Sequence, residues 1–232
     1  MAEWLPLFPL QEVVLFPGAA IPLRIFEDRY VTMVRRALEG DRRFGVVLIR
    51  SGEEAGEPAE PVDVGCVARI EEIREAGGQY LLIASGQERF RILQTRREGA
   101  LLVGLVEPVL DELEPPESLT DLTVQVVQRA RAYFELVGRA TGGMFVGAQF
   151  PTDPTSLSHL VAFSVQVPAA QRQALLELTS TRARLERLQQ LLASETTALS
   201  ERLREREAAL KIAVTNGKPP PGYFDPPAGA QD

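Results

Sequence analysis

The side chains that most often do chemistry in proteins are scarce in this sequence. It contains one cysteine, Cys66, and one histidine, His159. A zinc site built from cysteine and histidine usually needs three or four such ligands, so these two residues cannot form one and we predict no metal site. Cys66 lies in the alternating apolar pattern of a predicted strand, which favours a buried thiol. The alternative is a thiolate nucleophile that His159 activates from another region of the fold.

Neither a phosphate-binding loop nor a well-placed lysine is evident. The two lysines, Lys211 and Lys218, fall at the end of the last predicted helix and in the tail, where a catalytic lysine cannot be held in a dry pocket. The segment 138–143 approaches a phosphate loop, but Met144 and Phe145 stand where lysine and serine or threonine are required. Carboxylates are plentiful, yet no spacing singles out a catalytic pair. We therefore predict a protein that is not an enzyme and has no cofactor.

The composition disfavours several other classes of protein. A formal net charge of -7 and an isoelectric point near 5.0 disfavour a nucleic-acid partner, because binding to the phosphate backbone needs clustered lysine and arginine. A single cysteine favours a reducing compartment. The segment 1–10 has no basic start and contains two prolines, unlike a signal peptide, and the longest uncharged stretch, 154–171, is interrupted by polar residues and a proline. We expect a cytoplasmic protein that makes no membrane contact.

The first half of the sequence has the pattern of short strands around one helix. A helix is predicted at Glu27–Glu39 from acidic residues at its start and the terminating Gly40. Its apolar stripe is Tyr30, Met33, Val34, Ala37 and Leu38. A hairpin is predicted at the glycine pair 77–78 and a further turn at Gly86. Other apolar runs predict strands at Val13–Phe16, Ile21–Ile25, Phe44–Ile49, Val64–Ile70, Tyr80–Ala84 and Leu101–Leu110, and the alternation of Phe90 and Ile92 with arginines predicts one more. At least six short strands separated by turn residues predict a small barrel or sandwich.

From Glu117 onward the apolar residues recur at helical spacing. A first long helix is followed by two shorter ones, 157–165 and 169–178, and by a final helix at 181–214. Leu199, Leu203 and Leu210 form a thin apolar seam on that last helix. Such a seam is too narrow for a core-facing helix and too regular for a fully solvated one. We therefore expect the distal half of the helix to protrude or to associate with another chain.

Several short motifs occur in a fixed order along the chain. They are LPLFPL at 5–10, VLFPG at 14–18, IPLRIFE at 21–27, RFGVV at 43–47, VGCVARI at 64–70 and GQERFRI at 86–92. A further match lies in the helical half, at LLE 175–177 and RLERL 184–188. With this order and spacing, the region from about residue 4 to 195 resembles the N-terminal, substrate-binding domain of Lon proteases.

The resemblance implies a fold as well as a family. Members have a compact β domain like the pseudouridine-synthase-associated fold, followed by a helical bundle. Together with the change of period, this predicts an α+β protein with a small barrel-like β domain and one helix at 1–116, a helical bundle ending in a long helix at 117–214, and a disordered tail at 215–232. In full-length Lon proteases the domain precedes an ATPase and a Ser-Lys protease domain, for which no motif is found here. The resemblance thus implies a non-catalytic module.

The resemblance also implies a function in protein quality control. It favours binding of unfolded or apolar-rich polypeptides, with a protease or another protein as partner; the alternative is a scaffold that docks one dedicated protein, as in the related cereblon family. An unrecognised enzyme is a third hypothesis. Leu23, Phe26 and Tyr30 are candidate polypeptide-binding residues because they flank the turn from strand into helix, although such side chains also serve to pack a helix onto a sheet. The negative net charge favours neutral or basic clients.

Overall fold

The computed structural model describes residues 1–51, 60–143 and 149–215. Within these ranges the strands are β1 (Glu3–Leu10), β2 (Ala20–Ile25), β3 (Arg43–Ser51), β4 (Glu60–Pro61), β5 (Val64–Ala76), β6 (Gln79–Glu98) and β7 (Leu101–Pro108). The helices are α1 (Asp28–Glu39), α2 (Thr120–Thr141), α3 (Pro154–Ser164), α4 (Ala169–Glu177) and α5 (Thr181–Thr215), with a 3-10 turn at Pro116–Leu119. The predicted mixture of an antiparallel sheet with following helices is confirmed.

The strands form a mostly antiparallel sheet in the order β1-β7-β6-β5-β3-β4. β1 also pairs with β3, in parallel, so that five strands close into a ring. β2 pairs with β6 and β4 pairs with β3 outside this ring. The prediction of a small barrel was therefore too simple, because the ring carries two added strands and the described sheet keeps open edges.

β1 is a strand that the sequence analysis missed because it contains two prolines. Glu3–Leu7 pairs with β7, and Leu7–Leu10 pairs with β3. Pro6 therefore has a strand neighbour on the β7 side and Pro9 on the β3 side. Since a proline cannot donate a ladder hydrogen bond, it is tolerated where a strand is paired on one side only. The change of partner at Leu7 explains how the strand accommodates both prolines.

The strand predicted at 13–16 and the turn predicted at Gly86 are both wrong, and the two errors have one cause. Residues 13–16 form no strand, and β6 continues through Gly86 instead of turning there. The backbone of Phe16 lies directly against Gly86, where a Cβ atom would come within 2.1 Å of the Phe16 carbonyl oxygen. The apolar run 13–16 is therefore a buried strap across β6, and Gly86 is required for close approach rather than for a turn.

Helix α1 begins and ends within a residue of its predicted bounds. Its buried residues are Tyr30, Val31, Met33, Val34 and Ala37, whereas Leu38, which was expected on the buried stripe, is 37% exposed. The hairpin predicted at 77–78 is confirmed, since both glycines have a positive φ, 60° and 78°. Inside the ring, an apolar cluster forms the core of the sheet: Leu5, Leu7, Val47, Val67, Phe90 and Val106.

The internal contacts of the chain define two compact units. One unit comprises Met1–Gln128 and Gln149–Gln190, and the other comprises Arg129–Ala148 and Leu191–Asp232. The first unit thus contains the whole sheet together with α3, α4 and the start of α5. The last strand ends at Pro108, and the helices that follow the sheet begin at Pro116. This is close to Glu117, where the sequence predicts a change to helical spacing. The domain division at residue 116 stays a prediction.

Helix α5 ends one residue beyond its predicted end. Leu185, Leu188 and Leu192 are fully buried, whereas Leu210 of the distal seam is 39% exposed. Self-association through this seam stays a prediction. The disordered tail was predicted at 215–232; Thr215 is the last residue of α5, and 216–232 lie outside the described residues. Every helix within the described ranges is too short or too polar to cross a bilayer.

Candidate functional site

The three candidate residues from the sequence lie around one shallow pocket. Leu23 is on β2, Phe26 follows it in the link to α1, and Tyr30 is in the first turn of α1. Together with Phe8 they line a pocket of about 130 Å³. Phe26 is 61% exposed, Leu23 is half-buried and Tyr30 is 6% exposed. The fold therefore brings the three side chains together, but they differ in how much surface they offer to a ligand.

Tyr30 packs α1 against the sheet. Its ring meets the ring of Phe8 edge-on at a centroid distance of 4.4 Å, and the guanidinium of Arg29 lies 4.5 Å from the ring centroid. Arg29 is held in turn by an ion pair of 2.9 Å with Glu27. Edge-to-face aromatic contacts and cation–π contacts both stabilise such a junction. Phe26 makes the larger contribution to the accessible apolar surface.

A larger groove adjoins this pocket on the outer face of β2, β6 and β5. The strand register aligns Pro22, Ile83 and Glu72 in one cross-strand row and Arg24, Leu81 and Arg74 in the next. The groove has a volume of about 440 Å³, and its lining also includes Leu23, Ile73 and Leu82. Leu81 is 48% exposed and Ile83 is 40% exposed. Both are large aliphatic side chains at the centre of a three-stranded surface, which we name the outer groove.

The sequence analysis missed Leu81 and Ile83, although a signal was present. Residues 80–84, Tyr-Leu-Leu-Ile-Ala, are apolar at every position. An antiparallel strand with one solvated face normally alternates apolar and polar side chains. Tyr80, Leu82 and Ala84 are buried on the inner face, so the intervening Leu81 and Ile83 occupy positions where polar residues are expected. The unbroken apolar run thus indicates a second apolar face.

The charged residues of the outer groove are two arginines and one glutamate. The Arg24 guanidinium donates two hydrogen bonds to the side-chain oxygen of Gln79, at 3.0 and 3.2 Å. In the part of the chain that the structure describes, no carboxylate lies within 4.0 Å of the Arg24 or Arg74 guanidinium. Both cations therefore border the apolar surface without a compensating carboxylate in contact.

A buried charge cluster lies elsewhere in the same unit, and we name it the Asp111 cluster. The Asp111 carboxylate accepts a hydrogen bond of 2.7 Å from Arg184 Nη2 and lies 3.0 Å from Arg89 Nη2. His159 Nε2 is 3.5 Å from the other carboxylate oxygen. Arg184 also donates to the Ser158 hydroxyl at 2.8 Å. The cluster therefore ties β6, the segment after β7, α3 and α5 together.

The electrostatics of this cluster favour a structural role. Burial by itself raises the pKa of the Asp111 carboxyl, but hydrogen bonds from His159 and Arg184 and the charges of both arginines lower it to about 2. Burial lowers the pKa of His159 below its ordinary value, so the imidazole is neutral near pH 7. At the end of α4, Arg89 also donates to the backbone carbonyls of Leu176 and Leu178, and Arg184 donates to that of Leu178. Arg89, Asp111 and Arg184 thus make contacts that join separate segments of the fold.

Cys66 and His159 are both buried in the described structure. The Cys66 thiol is fully buried and donates to the Val67 carbonyl, and its burial raises its pKa well above the ordinary value of a thiol. The buried thiol predicted from the sequence is confirmed. His159 contacts Asp111 and the ring of Phe16. Over the described ranges, no three acidic, cysteine or histidine side chains lie close enough together to hold a metal ion.

Acid should destabilise the protein through Asp111. Because the folded pKa of about 2 lies below the ordinary aspartate pKa of 3.8, the carboxylate stabilises the fold above pH 3.8, and this contribution is lost as the pH falls toward 2. The shift corresponds to about 2 kcal/mol. We expect the free energy of unfolding, measured in urea between pH 5 and pH 2, to fall more steeply for the natural protein than for Asp111→Asn. Parallel pH profiles would contradict this assignment.

Comparison with known proteins gives a consistent set of relatives. The model of the ATP-dependent protease La (LON) substrate-binding domain matches residues 4–194. The chain is 30% identical over 191 residues to Lon protease 2 of Myxococcus xanthus and 29% identical over 191 residues to the Lon protease of Anaeromyxobacter dehalogenans. In each case the alignment covers 81% of this chain and 23% of the relative. The chain thus spans about a quarter of the length of these relatives.

Two solved structures share the fold. A Lon N-terminal domain protein from Xanthomonas campestris is 31% identical with a TM-score of 0.59, and the match covers 82% of this chain and 98% of that one. The N-terminal domain of Mycobacterium avium complex Lon protease gives a TM-score of 0.62 at 19% identity, with the same coverage of both chains. At that lower identity the similarity concerns the fold alone.

Proposed function

The chain belongs to the family of the Lon protease substrate-binding domain, and we propose that it binds unfolded or apolar-rich polypeptide segments without transforming them. The family model describes the domain that precedes the catalytic parts of Lon proteases, and it matches residues 4–194 of this chain. The helical bundle and the likeness to the pseudouridine-synthase-associated fold belong to the same proposal, as does a cytoplasmic location. Protein quality control is the process in which such a module acts.

One observation carries this proposal: the outer groove exposes aliphatic side chains at the centre of a sheet. Leu81 and Ile83 are each at least 40% exposed, and Pro22 lies beside Ile83 in the same cross-strand row. Covering exposed apolar area with a second apolar surface is favourable by about 25 cal/mol per Å². Clustered exposure of this kind marks an interaction surface, whereas scattered exposed residues do not.

In this proposal, the outer groove and the shallow pocket beside Phe26 act as one extended binding surface. Leu23 and Arg24 line both of them. Four residue steps separate Pro22 from Phe26, which corresponds to about 13 Å of extended chain. This length suits an extended client segment of several residues, with one side chain in the groove and another at Phe26. Such a client gains contacts from alternate side chains along its length.

The edge of β2 is poorly suited to adding a further strand. In the described sheet β2 pairs with β6 alone, which leaves its other edge open. Pro22, in the middle of the strand, has no N–H group to donate. We therefore assign recognition to side chains on the outer face. Because an extended client also loses conformational entropy when it is ordered, we expect micromolar or weaker dissociation constants.

Binding should depend on the apolar centre of the outer groove. Leu81→Asp places a charge among aliphatic side chains, and we expect it to weaken the binding of an unfolded protein about tenfold, since losing about 1.4 kcal/mol gives that factor. The measurement is fluorescence anisotropy with a labelled, reduced and alkylated protein, compared with the same protein in its native form. Leu93→Asp is the matched control because Leu93 is on the same strand, is 50% exposed and lies outside the groove.

Both variants are first checked for folding by circular dichroism. Equal binding of native and unfolded protein would contradict recognition of unfolded segments and would favour the second candidate function, a scaffold for one dedicated partner. Equal losses in Leu81→Asp and Leu93→Asp would remove the outer groove as the binding site. The proposed self-association through the α5 seam is tested separately, by light scattering of the intact protein and of a chain that ends at Ala193.

A further inference from the structure

Arg24 and Arg74, the two arginines of the outer groove, have a defined geometry. Arg24 and Arg74 occupy the strands on either side of Leu81, in one cross-strand row. Neighbouring strands are about 4.8 Å apart, so the two side chains start about 10 Å apart and flank the same aliphatic residue. Both are exposed, and Arg24 is oriented by its hydrogen bonds to Gln79.

Among the described residues that line the groove, Glu72 is the only carboxylate, and it lies in the neighbouring row beside Ile83. One end of the groove therefore carries two cations and the other end carries one anion. The local charge is positive, whereas the whole chain has a net charge of -7. At physiological salt the Debye length is about 8 Å, so a bound segment responds mainly to the charges next to it. This reverses the preference for neutral or basic clients that the net charge alone favours.

We propose that the outer groove selects extended segments in which an apolar residue is followed or preceded, two positions away, by an acidic residue. This inference rests on the proposed polypeptide-binding function and specifies its substrate class. Residues two positions apart in an extended chain point to the same side and are about 7 Å apart. An apolar side chain placed against Ile83 therefore brings the acidic side chain to the row of Leu81, between Arg24 and Arg74. A basic residue at that position is repelled by the positive charges of both arginines.

The test uses three labelled peptides of equal length that carry the same apolar residues. In each peptide, the position two residues away from an apolar side chain is filled with glutamate, glutamine or lysine. We expect the glutamate peptide to bind tightest and the lysine peptide weakest, with a difference of about tenfold at low ionic strength, because two exposed ion pairs contribute on this scale. Added salt should reduce the difference without abolishing the binding of the glutamine peptide.

Charge reversal makes the assignment specific to the two arginines. The double variant Arg24→Glu, Arg74→Glu should invert the order, so that the lysine peptide binds tightest. Arg91→Glu is the matched control, because Arg91 is exposed on the same sheet but outside the groove lining, and it should preserve the natural order. The double variant Arg24→Gln, Arg74→Gln, which should remove the preference, serves if the reversal disturbs folding.

The outcomes separate this inference from the proposed function. If the glutamine peptide binds but the three affinities are equal, or if the lysine peptide binds tightest to the natural protein, the charge selection is wrong and polypeptide binding stands. If no peptide binds, including the neutral one, the proposed function itself is wrong and the selection falls with it. An order that changes equally in Arg91→Glu would show that the general surface charge, and not the groove, sets the preference.

Discussion

Replacing Arg184 by alanine is expected to lower the free energy of unfolding by about 3–5 kcal/mol, the cost of breaking a buried ion pair by removing one partner. The guanidinium is fully buried and donates to the Asp111 carboxylate, the Ser158 hydroxyl and the Leu178 carbonyl. Without it, Asp111 keeps its charge in a half-buried site with one arginine fewer. Urea denaturation followed by circular dichroism at pH 7 measures the loss.

A neighbouring arginine on the same helix supplies the control. Arg187 is exposed, with a long hydrogen bond of 3.4 Å to Gln190, and Arg187→Ala should change the free energy of unfolding by less than about 0.5 kcal/mol. A double-mutant cycle with Asp111→Asn should show strong coupling to Arg184, since the two side chains are in direct contact. Arg184→Ala as stable as Arg187→Ala would show that the Asp111 cluster is dispensable for folding.

The second large effect is expected at Gly86, where alanine should destabilise the protein by about 3 kcal/mol. Its Cβ would lie 2.1 Å from the Phe16 carbonyl oxygen, which belongs to the backbone and cannot rotate away. Gly86 N–H donates to the Ala19 carbonyl at 2.7 Å, and its own carbonyl accepts from Gly18 N–H at 2.9 Å. Making room for the methyl group therefore displaces the strap and weakens these hydrogen bonds.

Because β2 begins at Ala20, four residues after Phe16, the Gly86→Ala variant should also bind unfolded protein less well. Gly40→Ala is the matched control: the nearest atom to an added Cβ is 3.8 Å away and φ is −113°, so stability should change by less than about 1 kcal/mol. Thermal unfolding of both variants tests the difference. A melting temperature for Gly86→Ala equal to that of Gly40→Ala would mean that the strap can move aside without cost.

Local signals in the sequence were sufficient for several elements. Helix α1 was predicted from its acidic start, its apolar stripe and Gly40, and all of these act within a few residues of one another. The hairpin followed from the adjacent glycines at 77–78, because only glycine readily adopts the positive φ that both residues have. The ordered motifs between residues 4 and 195 indicated the family, and the match over residues 4–194 confirms it.

Part of the proposed binding surface could also be predicted from the sequence, but not its centre. Leu23 and Phe26 were placed correctly at the exit from β2, since strand and helix meet there along the chain. Whether they bind a client stays a prediction. Leu81 and Ile83 were assigned to a strand, yet their exposure depends on β2 and β5 flanking β6 with nothing covering the outer face among the described residues.

By itself, the sequence determined the positions of most strands and helices, the family and the scarcity of catalytic side chains. Only the tertiary structure decided which apolar and charged residues are covered. The run 13–16 became a buried strap because β6 passes beneath it, and Arg184 became fully buried because Asp111, Ser158 and the Leu178 carbonyl, from other segments, satisfy it. Periodicity reports the local path of the backbone, whereas burial depends on partners that are distant in the sequence.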